Sequence, residues 1–186
     1  MKNYVYYFAT AGAQLAEGIP YVGVGLLREQ TNISFNFTTV GLTDIKRFIH
    51  ALPSTLSTGY DGIQSRLLKN LCEELSPNIM DIVNSSLVQS RVPAALKISK
   101  VDAIPKLPTS SEPSEFRPIS IFCVIDKILQ KVVNKQLMEH LEDHGLFSSR
   151  QYGFRPKSNT QAALFDVVST IQSACDRKKK GSSRVP

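Results

Sequence analysis

Apolar side chains recur along this chain mostly at helical spacing, and the clearest stripe predicts the longest helix. Ile125, Ile128, Leu129, Val132, Val133, Leu137 and Leu141 fall on one side of a helix from Val124 to Asp143. Asp126, Lys127, Gln130, Lys131, Asn134, Lys135 and Glu139 cover the other side, as expected of a helix with one face in a core. Gly145 is its stop. Tyr4 to Ala16 is dense enough in apolar residues for a helix ended by Gly18 and Pro20. Ile45, Phe48, Ile49 and Leu52 keep helical spacing up to Pro53. Asp61 is placed to cap a helix whose face is Ile63, Leu67, Leu68, Leu71 and Leu75. Ser76-Pro77 is expected to restart another, with proline at the first helical position, burying Ile79, Ile82, Val83 and Leu87. Ser158-Asn-Thr-Gln161 has the form of a capping box. It opens a last helix expected to bury Leu164, Val167, Val168 and Ile171.

Two short stretches alternate instead. Val101 to Ile104 and Arg117 to Ile121 read as an antiparallel hairpin, with a Pro- and Ser-containing, mobile connection from Lys106 to Phe116. Pro118 fits there only at an edge or a bulge, where no ladder hydrogen bond is needed. Tyr21 to Phe37 has no clear period and reads as a loop with a short extended piece. The expected fold class is therefore α+β, mostly helical, with one small β-hairpin.

Composition narrows this modestly. The 186 residues, 42% apolar and 20% charged, suffice for one well-buried domain and exclude a disordered chain. The net charge of +6 suggests nucleic acid, but five of those charges lie in Arg177, Lys178, Lys179, Lys180 and Arg184, with no acid among residues 177–186. That tail reads as a solvated basic run or as a nucleic-acid arm. Cys72, Cys123 and Cys175 are odd in number and unpaired in spacing, which argues against disulfide partners or a zinc ribbon. They fit an intracellular protein, with nucleus or cytoplasm not resolved. No apolar run approaches the roughly eighteen residues of a membrane span. The start, Lys2 and then Tyr4 to Ala13, loosely mimics a signal peptide but is rich in aromatics rather than leucine.

Candidate chemistry centres on the hairpin. Lys106 follows one strand and Arg117 opens the next, so both cations stand at the base of the same loop. Two such cations can hold a triphosphate through charge-assisted bonds; equally, they can be ordinary exposed strand-end residues. His140 and His144 are four apart near a helix end but lack a third ligand. They read better as imidazoles near a helix C-terminus. Cys123 reads as buried rather than nucleophilic. Asp166 and Asp176 read as solvated surface.

The order of short motifs adds a resemblance. Pro93 and Lys97 are followed by Ile104 and Lys106, Arg117-Pro-Ile-Ser120, the long helix, Gln151 with Gly153-Phe-Arg155, and Asn159-Thr160 with Ala163. Upstream stand Phe8-Ala-Thr, Leu15-Ala, Asp44-Ile45, Gly59-Tyr-Asp-Gly-Ile63, Leu68-Lys69 and Asn84-x-Ser-Leu87. Together they resemble the fingers region of a non-LTR retrotransposon reverse transcriptase, an RNA-directed DNA polymerase, over residues 6 to 180.

The resemblance implies the fingers part of a right-hand polymerase with the palm domain absent. Residues 1–53 would be an N-terminal extension, 54–180 the fingers region, truncated before the first catalytic strand, and 181–186 an irregular tail. Lys106 and Arg117 would contact dNTP phosphates. Gln151, Gly153, Phe154 and Arg155 would lie beside the template of an RNA/DNA template–primer; a turn with Phe154 buried as core is the alternative. No catalytic residue and no cofactor is expected in this chain, and Mg2+ only in a full-length relative, because the chain has no Asp-Asp pair and two-metal transfer needs carboxylates. Leu96 replaces the family's Trp, and Asn159 its Ser. The reading is thus a truncated reverse transcriptase, inactive alone, its palm-facing side left apolar. A non-catalytic nucleic-acid-binding module, or a decayed reading frame without function, are the other readings.

Overall fold

The computed structural model describes residues 4–17, 33–54, 57–156 and 158–182. The chain divides into two compact units, Met1–Leu137 and Met138–Pro186. The described residues are mostly helical: α1 (Tyr4–Glu17), α2 (Leu42–His50), α3 (Ser65–Asn70), α4 (Cys72–Val88), α5 (Val124–Asp143) and α6 (Thr160–Ser182). One two-stranded sheet, β1 (Ser99–Pro105) with β2 (Phe116–Phe122), sits between α4 and α5 in sequence. The candidate loop around Tyr21 lies largely outside the described residues.

The core of the first unit gathers the stripes of α2, α4 and α5. Ile45, Ile49, Val83 and Ile128 are fully buried, with Val132 beside them. Burying such side chains stabilises by about 1.5–3 kcal/mol each. Cys123 precedes α5 and is buried. Burial pushes its thiol above its ordinary range, while the backbone N–H groups of Asp126 and Ile125 act the other way. The cysteine is therefore buried, as its sequence position suggested.

Three helix boundaries differ from expectation. Asp61 accepts from the Ile63 N–H in a local turn, 3.2 Å, rather than capping a helix, and α3 begins only at Ser65. The break between α3 and α4 falls at Leu71 (φ −103°, ψ 27°), and Pro77 lies inside α4 instead of opening it. Packing outweighs the local signal here, because Cys72, Ser76, Ile79 and Val83 form one buried face across the proline. At α6 the expected capping box is replaced by Asn159, whose Oδ1 accepts from the Ala162 N–H at 2.9 Å.

In the second unit, α5 ends as Gly145 requires. Gly145 has φ +61°, its N–H donates to Glu142 O at 3.1 Å, and Leu146 N–H donates to Leu141 O at 2.9 Å. This double closure of the last turn favours glycine at the left-handed position. The apolar stripe of α6 is not buried as expected: Leu164, Val167, Val168 and Ile171 are 63%, 54%, 43% and 57% exposed. The periodicity was a sound helix signal, but a stripe becomes core only where another element covers it.

Candidate functional site

The hairpin brings the two predicted cations onto one face. Arg117 stands opposite Ile104, and the Lys106 N–H donates to Glu115 O at 2.8 Å, extending the register by one pair. Opposed residues share a face and alternate residues return to it. Lys106, Ile104, Glu115 and Arg117 therefore lie on one side, with Lys106 and Arg117 diagonal across the ribbon. Both cations are exposed. Lys106 Nζ donates to Ser114 O at 2.8 Å. Further along the same face, Lys100 pairs with Asp102 at 3.2 Å.

The same register explains both prolines. The bond at Lys106–Glu115 makes every second pair a hydrogen-bonded one, so Pro105–Phe116 and Ala103–Pro118 are non-bonded pairs. Each proline lacks its N–H on an outer edge, where it costs no ladder bond and hinders addition of a further strand. The connection is less loose than its composition suggested. Glu115 Oε2 accepts from the Ser111 and Glu112 N–H groups at 2.7 and 3.0 Å, and Ser110 Oγ accepts from Leu107 N–H at 3.0 Å.

The second candidate segment, Gln151 to Arg155, lies in the other unit. Gln151 and Gly153 are exposed. Phe154 is fully exposed and has φ +57°, so it is not core. A bulky non-glycine residue in the left-handed region is strained, and such strain clusters at functional sites. Arg155 is half-buried and committed: its Nε and Nη2 donate to Glu142 Oε1 and Oε2 at 2.9 and 3.0 Å. Its guanidinium also lies 5.1 Å from the Phe147 ring centroid. The Glu142 carboxylate raises the Arg155 pKa above its ordinary value. Burial and the neighbouring Asp166 carboxylate raise the Tyr152 pKa. A cleft of about 560 Å³ is lined by Glu142, Arg155, Pro156 and Ser158.

Glu142 and Phe147, the partners of Arg155, carry no signal in the sequence: nothing in their spacing from Arg155 marks either contact. His144 Nδ1 lies 2.8 Å from His140 O, binding a last-turn carbonyl of α5. Among the described residues no group of three or more His, Cys, Asp or Glu is placed to hold a metal ion.

Comparison with known proteins gives the following. Over 154 residues the chain is 25% identical to the RNA-directed DNA polymerase from mobile element jockey of Drosophila melanogaster, covering 82% of this chain and 17% of that protein. Over 122 residues it is 28% identical to the probable RNA-directed DNA polymerase from transposon X-element of the same organism, covering 65% and 13%. The chain thus spans less than a fifth of the length of either relative. No protein-family model matches it.

Proposed function

Because the chain is related to the RNA-directed DNA polymerases of non-LTR retrotransposons, we propose that it forms a fingers part of such a polymerase and grips nucleotide and template without itself polymerising. Lys106 and Arg117 hold the triphosphate of an incoming dNTP. Gln151, Gly153, Phe154 and Arg155 line the template strand. Polymerisation is assigned to carboxylates outside this chain, since two-metal transfer needs carboxylates that hold both ions and the sequence has no Asp-Asp pair.

The observation that supports this reading most directly is the placement of Lys106 and Arg117 on one ribbon face. Two exposed cations diagonal across a hairpin can share one polyphosphate, whose charge is spread over many oxygens. Titration with a fluorescent dNTP at low salt tests it. Lys106→Ala and Arg117→Ala should each weaken binding by about 10- to 100-fold, the worth of one charge-assisted bond. Binding that is unchanged in the double variant would return both residues to ordinary strand ends.

A further inference from the structure

The loop from Gln151 to Arg155 is tied down next to one strained residue. Arg155 is fastened to the end of α5 by both Glu142 oxygens and covers the Phe147 ring. Beside that tie, Phe154 holds φ +57° with its ring wholly in solvent. A large apolar side chain gains nothing from that position in the isolated chain, and its left-handed backbone is strained. Such a conformation persists only where its surroundings over-determine it, and the Arg155–Glu142 tie supplies that constraint.

We propose that Glu142 is a positioning residue that holds the Phe154 ring out, pre-set, as a stacking platform for an unpaired nucleobase. The inference rests on the reading of this loop as the template side, and it deepens it by separating two roles. Phe154 touches the base. Arg155 acts chiefly through Glu142, as the tie that fixes its neighbour. Fixing the ring beforehand removes the ordering cost that binding would otherwise meet. Base–aromatic stacking is tolerant of sequence, as template copying demands.

The chain contains no tryptophan, so Phe154→Trp places a single reporter at the proposed platform. Its fluorescence anisotropy and iodide quenching are measured alone, with Glu142→Ala, and with the exchanged pair Glu142→Arg and Arg155→Glu. Circular dichroism checks that α5 and α6 persist. Binding of a labelled single-stranded oligoribonucleotide is measured in parallel for the Glu142→Ala and Phe154→Ala chains. The expected result is strong quenching throughout, lower anisotropy on loss of the tie, and recovery in the exchanged pair. Oligoribonucleotide affinity should fall about tenfold or more for Phe154→Ala and about two- to tenfold for Glu142→Ala. Anisotropy unmoved by Glu142→Ala would overturn the tie while leaving the template reading intact. Anisotropy that falls while affinity survives Phe154→Ala would overturn the platform and, with it, the template role of this loop.

Discussion

Gly59 offers a sharp test of the packing that sets the hairpin beside α5. It is buried, and a β-carbon there would stand 2.7 Å from both the Cα and N of Cys123 and 2.9 Å from the carbonyl carbon of Phe122. Non-bonded carbons rest at about 3.5–4.0 Å, so in Gly59→Ala the segments must part by about 0.8 Å or more. The atoms met are backbone, at the junction of β2 and α5, and no change of rotamer relieves them. Overpacking of this kind costs about 1–3 kcal/mol, and a backbone obstruction belongs in the upper half of that range. For a chain of this size the melting temperature should drop by about 4–10 °C. In urea, monitored by circular dichroism, the midpoint should fall with the slope unchanged. Gly41→Ala is the control, because nothing lies within 4 Å of an added β-carbon there; it should cost only the preference for glycine over alanine at the N-cap of α2, about 1 kcal/mol or less. Cys123→Ala should not rescue Gly59→Ala, since the cysteine side chain is not what the new carbon meets. Rescue by that change, or a Gly59→Ala chain as stable as the parent, would refute the reasoning.

Other perturbations follow from single groups. Asp126 is buried, and burial raises its pKa against the opposing hydrogen bond from Gln130 Nε2. The folded state therefore holds this proton more tightly than the unfolded chain. The stabilisation is fully present below the unfolded value of about 3.9 and is lost as pH rises through the folded one. Asp126→Asn should thus stabilise at neutral pH and lose that advantage in acid; urea titrations at both pH values would show the reverse order if the carboxylate were favourable when ionised. Ser76 is fully buried, and its hydroxyl is the buried side-chain polar atom left without a partner among the described residues. Ser76→Ala should raise stability by about 1 kcal/mol, read as a higher urea midpoint, and a lower midpoint would mean that the hydroxyl is satisfied. Ser90 ends α4 at φ +50°, with its N–H donating to Leu87 O at 3.3 Å. Ser90→Gly should therefore gain about 1 kcal/mol in a thermal melt, and an unchanged melt would mean that the turn is unstrained.

What could be read from the sequence, and what could not, divides by the range of the interaction. The α5 stripe predicted a helix from Val124 to Asp143, which is the observed span, because side chains at helical spacing constrain one another locally. Gly145 and the hairpin were legible for the same reason, and the register then placed Pro118 where its missing N–H does no harm. The start of α4 was missed because Pro77 signals a first turn locally, while the buried face shared by Cys72 and Val83 decides the matter at longer range. The stripe of α6 was legible as a helix but not as a surface, since periodicity says which residues share a face and nothing about what covers it. The candidate loop shows the same limit in its chemistry. Its motif drew attention to Arg155 as a template-side residue, but a motif carries no information about Glu142, thirteen residues earlier at the end of another element. A guanidinium with both of those carboxylate oxygens in hand is already largely committed. The side chain beside it, Phe154, is fully exposed, and the motif alone does not say which of two adjacent side chains the fold engages.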